Sequence, residues 1–153
     1  ELGRMAQEAP PARAFIDPDD PRFASPGDMP ERVREACLAS SQPAPETEAD
    51  TLRCIIESLA RKYASVVRAA SGFAPEPIER LHVIGGGSRN DLLNRLTARE
   101  LGIPLVARPV EATAKGNILL QAMATGEIAG LEELRQVSAA STELVHYDPT
   151  EGS

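Results

Sequence analysis

Apolar residues recur along this chain with two different periods, and the longest helical run lies near its middle. Leu52, Ile55, Ile56, Leu59, Tyr63, Val66 and Val67 follow the i, i+3, i+4, i+7 rule of an amphipathic helix. One long helix is predicted, opened by Glu46, Glu48 and Asp50 and stopped by Gly72. Its apolar stripe leaves Arg53, Arg61, Lys62 and Arg68 mainly on the opposite side, where solvent is expected. Upstream, Asp28-Met29-Pro30-Glu31 reads as a helix start, with Asp28 capping free amides and Pro30 and Glu31 suited to the first turn. Val33, Ala36, Cys37 and Leu38 would form the apolar side of that helix. Residues 1–6 resemble the end of a helix, and the proline- and aspartate-rich stretch 15–30 predicts turns and extended chain.

The period changes at Leu81. Leu81, Val83 and Ile84 suit a buried strand, which runs into Gly85-Gly86-Gly87. Leu92, Leu93, Leu96 and Leu101 then recur at helical spacing until Gly102, and residues 103–107 read as a second short strand. Strand, glycine turn, helix and strand make one βαβ unit, a parallel pair with a right-handed crossover. A further helix begins with the small residues Ala112, Ala114 and Gly116, which admit either a closely packed helix or a ligand. Gly126 ends it. A short acidic helix from Leu131 to about Val137, an extended segment around Thr142 to Tyr147 and a fraying tail complete the chain. The expected organisation is a loop-rich lead-in (1–30), two helices (31–73), a βαβα portion (78–147) and a tail (148–153).

Composition narrows the alternatives. The 153 residues suffice for one domain with a core, and 42% are hydrophobic but only 3% aromatic. Leu, Ile, Val and Ala must therefore fill that core. A net charge of -7 argues against nucleic-acid binding, which needs clustered cations to neutralise phosphates. No apolar run is long enough to span a bilayer, and the start lacks a basic-then-apolar leader, so a soluble cytoplasmic protein is expected. The first residue is Glu1, not Met, which suggests an excised piece or a processed chain. Cys37 and Cys54 belong to no CxxC pair and read as buried thiols on neighbouring helices.

The glycine turn carries the candidate chemistry. Three glycines place no Cβ atoms there, so a flat ligand could approach the backbone closely. The amides opening the next helix favour a polar or anionic group. The same turn also occurs as pure architecture. Asp17, Asp19 and Asp20 invite a metal, but their spacing is not that of an EF-hand, and aspartates beside prolines form turns. His82, within the strand, reads as a hydrogen-bonded structural histidine. Neither a P-loop nor a GxSxG elbow is present, and Asn90 stands where a dinucleotide fingerprint needs its third glycine.

The stretch Ile84-Gly85-Gly86-Gly87-Ser88-Arg89-Asn90-Asp91-Leu92-Leu93-Asn94 closely resembles the adenosine-binding motif of the FGGY carbohydrate kinases. Residues 102–106 and 109–118 extend the resemblance in register, and nearly the whole chain is covered in order. Phe15 to Phe23, Gly27 to Pro30 and Pro109 to Thr113 resemble the branch that phosphorylates L-rhamnulose. The resemblance implies an α/β fold, helix-rich with a few strands: the C-terminal portion of an actin-like ATPase (ribonuclease H-like) domain. In such an enzyme ATP lies in a cleft between two domains.

By the same resemblance, Gly86 and Gly87 would lie against adenine or ribose, Gly85 would shape the turn, and Asn90 would hold the nucleoside through its amide. Glu111, Ala112 and Gly116 would be packing residues, and 15–23 a family-typical loop. The phosphate-binding segment, sugar site and catalytic aspartate would precede Glu1, and none of Asp17, Asp19, Asp20 or Asp28 matches that aspartate's motif. No catalytic residue or metal ligand is therefore assigned, and Mg²⁺ would be held mainly outside this chain. The complete enzyme would move the ATP γ-phosphate to L-rhamnulose, while the chain alone would be inactive and prone to self-association. Another sugar of the family (xylulose, fuculose or glycerol), or a non-catalytic module binding nucleotide or a partner, is the alternative.

Overall fold

The computed structural model describes residues 2–107, 112–140 and 144–150. A 24-residue helix, α3 (Glu48–Ser71), is the spine against which α1 (Leu2–Glu8), α2 (Met29–Ala39) and α4 (Asp91–Leu101) pack. Its start is fixed by a reciprocal capping box. Thr47 Oγ1 accepts the Asp50 amide at 3.0 Å, and the Asp50 carboxylate accepts the Thr47 amide at 3.1 Å. Helix α2 begins as expected, with Asp28 Oδ1 accepting the Glu31 amide at 3.2 Å and Pro30 in the first turn.

The buried stripe of α3 is rotated from the expected one. Ala60 and Ala64 are fully buried, whereas Tyr63 and Val66 are 44% and 56% exposed. Alanine lets α4 approach the α3 backbone closely, and the bulkier residues are turned to the flank. The core between α1, α3 and α4 is built from Ala6, Ile56, Ala60, Leu92 and Leu93. A second cluster joins Val33 and Cys37 of α2, Cys54 of α3 and Ala14 of the lead-in. Leu38 is exposed, because Val33 and Cys37, four apart, define the inner face of α2 and the next residue turns about 100° away.

All four cations expected in solvent on α3 make tertiary contacts instead, Arg61 and Arg68 with Glu100 of α4. Arg53 is largely buried, its Nε 2.5 Å from Glu57 Oε1 and its Nη1 donating to the Ala6 carbonyl at 3.2 Å. Lys62 binds Asp17 and Asp19 across the lead-in at 3.0 and 2.6 Å.

Strands β1 (Leu81–Val83), β2 (Leu105–Ala107) and β3 (Val145–Tyr147) form one sheet in that order. The β1–α4–β2 unit is parallel, as predicted, with Leu81 opposite Leu105. β3 then adds antiparallel to β2, with Tyr147 opposite Leu105. Leu81, Val83, Leu105, Ala107 and Tyr147 pack with Ala98 of α4. Strand alternation therefore turns His82 and Ile84 away from that cluster, and Ile84 is 66% exposed. Neither the buried strand residue expected of Ile84 nor the paired interior histidine expected of His82 is found.

Gly102 ends α4 in the left-handed conformation at φ 73°. Helix α5 (Ala112–Ala124) and helix α6 (Leu131–Ala140), a turn longer than expected at its end, pair with each other. Among the described residues no helix is long and apolar enough to cross a membrane.

Candidate functional site

The site candidate is the turn that carries the chain from β1 into α4. Gly85 sits at φ 84° and ψ -158°, a backbone conformation that side chains oppose, so a glycine is required there by the chain itself. Gly86 to Arg89 then form a single 3₁₀ turn. At Gly86 and Gly87 an added Cβ would meet no heavy atom within 4 Å. Those two glycines face open space, and among the described residues no packing demands them.

Asn90 is the N-cap of α4. Its Oδ1 accepts the Leu93 amide at 3.1 Å, which commits the oxygen to the helix and leaves Nδ2 as the donor of that amide. Beneath the turn lie polar groups that the sequence pattern did not single out. Ser88 is buried and its Oγ donates to the Gly85 carbonyl at 2.6 Å. Asn94, also buried, donates from Nδ2 to the Ser88 carbonyl at 3.0 Å. Tyr147 Oη donates to Asp91 Oδ1 at 2.6 Å, and burial, with the Asp91 hydrogen bond second, pushes the Tyr147 phenol up. The available signal was Asn94 itself, a polar residue inside the apolar face between Leu93 and Thr97. Nearby, Arg95 Nε is buried without a hydrogen-bond partner among the described residues.

The other expected sites resolve differently. Glu111 lies outside the described residues. Ala112 opens α5, and a Cβ added at Gly116 would meet nothing within 4 Å, so the close packing expected there is absent at that glycine. Asp17 accepts Lys62 Nζ and the Asp19 amide, and these two bonds, the lysine's first, hold its carboxyl below the usual range. Asp20 accepts the Arg22 amide at 2.9 Å and pairs with its guanidinium at 3.0 Å. These carboxylates tie down turns and fasten the lead-in to α3. Cys37 and Cys54 are free, buried and in contact across α2 and α3, and burial, then the Cys37 neighbour, pushes the Cys54 thiol up to about 12. A cavity of about 210 Å³ lined by Pro10, Pro11, Arg13, Pro43, Pro45 and Cys54 shares no residue with the glycine turn.

Residues 1–125 match the C-terminal domain of the FGGY family of carbohydrate kinases. The chain belongs to that family. It is 49% identical over 149 residues to a rhamnulokinase of Bacteroides thetaiotaomicron, covering 97% of this chain and 31% of the relative. A rhamnulokinase of Klebsiella pneumoniae is 40% identical over 153 residues, covering 99% and 31% respectively. The FGGY chain thus spans about a third of the length of these curated relatives. Among solved structures, a xylulose kinase from Rhodospirillum rubrum matches with a TM-score of 0.61 at 18% identity, covering 98% of this chain and 29% of that one. The fold is the C-terminal portion of an actin-like ATPase domain. Strand β3 lies beyond the stretch matched to the family.

Proposed function

We propose that this chain is the nucleotide-binding C-terminal part of an ATP-dependent sugar kinase whose substrate is L-rhamnulose. The carrying observation is the open face at Gly86 and Gly87, two glycines that no packing among the described residues requires. A purine or ribose laid on that face fills the space, with Gly85 shaping the turn and Asn90 Nδ2 as the nucleoside's donor. Two rhamnulokinases at 49% and 40% identity support the sugar.

The reaction would transfer the γ-phosphoryl group of ATP to a sugar hydroxyl, for which positioning and charge neutralisation supply most of the rate. This chain's part is to hold the nucleoside end. Asp17, Asp19 and Asp20 are tied to Lys62 and Arg22, and among the described residues no three metal-ligating side chains converge. They do not fit Mg²⁺, which would enter with the nucleotide and the rest of the kinase, in the cytoplasm. Exposed Tyr63, Val66, Phe73 and Ile84 would be covered in that longer protein, and the isolated chain would self-associate through them.

Calorimetric titration with ATP tests the proposal. The chain should bind, and Gly86→Val should weaken binding at least about tenfold, or 1.4 kcal/mol, while melting at an unchanged temperature because its side chain enters open space. Wild-type affinity in a folded Gly86→Val protein would remove the turn from the site. Phosphorylation of L-rhamnulose by the chain alone would refute its role as a part only.

A further inference from the structure

A run of three glycines is the most flexible stretch a chain can offer, and a ligand that bound it loose would have to order it. In this fold the ordering is done in advance, by side chains from three separate elements. Ser88 Oγ holds the Gly85 carbonyl at 2.6 Å, closing the turn on itself. The Ser88 carbonyl in turn accepts Asn94 Nδ2 at 3.0 Å. Tyr147 fastens the other end of the turn by donating to Asp91 Oδ1, at the first residue of α4 and beside the Asn90 cap, at 2.6 Å. Ser88, Asn94 and Tyr147 are only 8%, 2% and 7% exposed, so water cannot readily replace a lost partner.

The clasp reaches the turn from both ends. Its outer member comes from β3, held against β2 through the Leu105–Tyr147 pair and against α4 through the packing of the tyrosine ring. We infer that Asn94 and Tyr147 are positioning residues for the nucleoside subsite, through which β3 sets the conformation of the Gly85–Asn90 turn and thereby its affinity for nucleotide. The inference rests on the nucleotide reading of the turn for its second half only. The mechanical half, that β3 orders the turn, stands on the hydrogen bonds alone.

Tyr147→Phe is the decisive variant, because it deletes one hydroxyl and keeps the ring packed on Ala98 and Leu105. Two measurements on the purified chain separate the halves: amide hydrogen exchange across residues 85–90, and calorimetric titration with ADP. Exchange in the turn should rise about tenfold while exchange in α3 stays as in the wild type, showing a local opening. ADP affinity should fall about three- to tenfold. Asp91→Asn, which preserves an acceptor for the tyrosine, should behave as wild type in both. If Tyr147→Phe fails to fold, Asp91→Ala makes the same cut from the solvent side. Unchanged exchange in a folded variant overturns the inference, and so does faster exchange with unchanged ADP affinity. Faster exchange in a chain whose wild type binds no ADP leaves the clasp standing and overturns the nucleotide reading instead.

Discussion

The lead-in against α2 and α3 and the glycine turn against α4 are both irregular chain laid on helices, yet they are finished in opposite ways. The lead-in spends its polar groups inward. Ala12 N donates to Glu57, Phe15 N to Gln42, and Ile16 N to Ser58, while Gln42 returns a bond to the Phe15 carbonyl. Arg61 lies over the Phe15 ring at 3.2 Å from its centre, adding a cation–π contact. The turn is fastened from below by Ser88 and Asn94, while among the described residues its upper face at Gly86 and Gly87 meets nothing within 4 Å. The lead-in is bonded mainly to its own helices, whereas the turn is held from one side and bare at two glycines, the arrangement on which the proposed nucleoside site rests.

The largest effect that should separate the two regions is chemical access. Cys54 lies under the lead-in, where burial has pushed its thiol from 9.0 up to about 12. At pH 8 this lowers the thiolate fraction roughly a thousandfold, and alkylation by iodoacetamide should slow in proportion. Mass spectrometry should find both cysteines unmodified in the folded chain and both modified after denaturation. The sign for stability follows. The folded pKa lies above the ordinary one, so the contribution is complete below pH 9.0 and is lost as pH rises toward about 12. Labelling of the native protein at the rate of a free thiol would show that the lead-in opens, and that the contrast with the turn is only one of degree.

Paired substitutions sharpen the contrast in stability. Glu57 accepts Ala12 N at 3.1 Å and Arg53 Nε at 2.5 Å, with only about a seventh of its side chain exposed. Glu57→Ala leaves a part-buried amide and the Nε of a largely buried guanidinium without this acceptor, at a cost of about 2–3 kcal/mol. Gly87→Ala places a methyl in empty space and should change stability by less than about 0.5 kcal/mol. Urea unfolding of the two variants measures both. Equal losses would mean that the turn is as tightly finished as the lead-in.

What could be read from the sequence was what local chemistry dictates. The Asp28 cap and the Gly102 stop depend on neighbours within a few positions, the βαβ order on the sequence of local patterns, and each stands where it was expected. The register of α3 did not emerge, because hydrophobicity favours Tyr63 and Val66 while the close approach of α4 requires Ala60 and Ala64. Ile84 misled for a related reason, since alternation, not side-chain type, turns it outward. At the turn, the glycines identify the place but not what holds it. Asn90 reads as a ligand residue, and the structure adds that its oxygen caps α4 while Nδ2 remains the donor of that amide. Asn94 reads as one polar position of an amphipathic helix until it is seen holding the Ser88 carbonyl, and Asp91 as a helix-opening acid until Tyr147 arrives from 56 residues away. The antiparallel arrival of β3 is a long-range pairing that no local pattern encodes.

The smallest effect belongs to the outermost fastening of the lead-in. Lys62 bridges Asp17 and Asp19 at 3.0 and 2.6 Å, and the hydrogen bond it gives Asp17, helped by the Asp19 amide, lowers that carboxyl below 3.8. A depressed carboxylate contributes stability that is present above its unfolded pKa and lost as pH falls through its folded one. Because the two aspartates stand in solvent, salt should screen most of this contribution. Carboxyl-detected NMR titration should place Asp17 below 3.8 in the wild type and move it upward in Lys62→Met, with 0.5 M salt producing much of the same shift. The thermal midpoint should hardly change in either case. An Asp17 titration indifferent to Lys62 would leave the Asp19 amide as its only support, and would reduce the bond between lead-in and α3 to the buried contacts at Glu57, Ser58 and Cys54, where the closed character of this region would then have to reside.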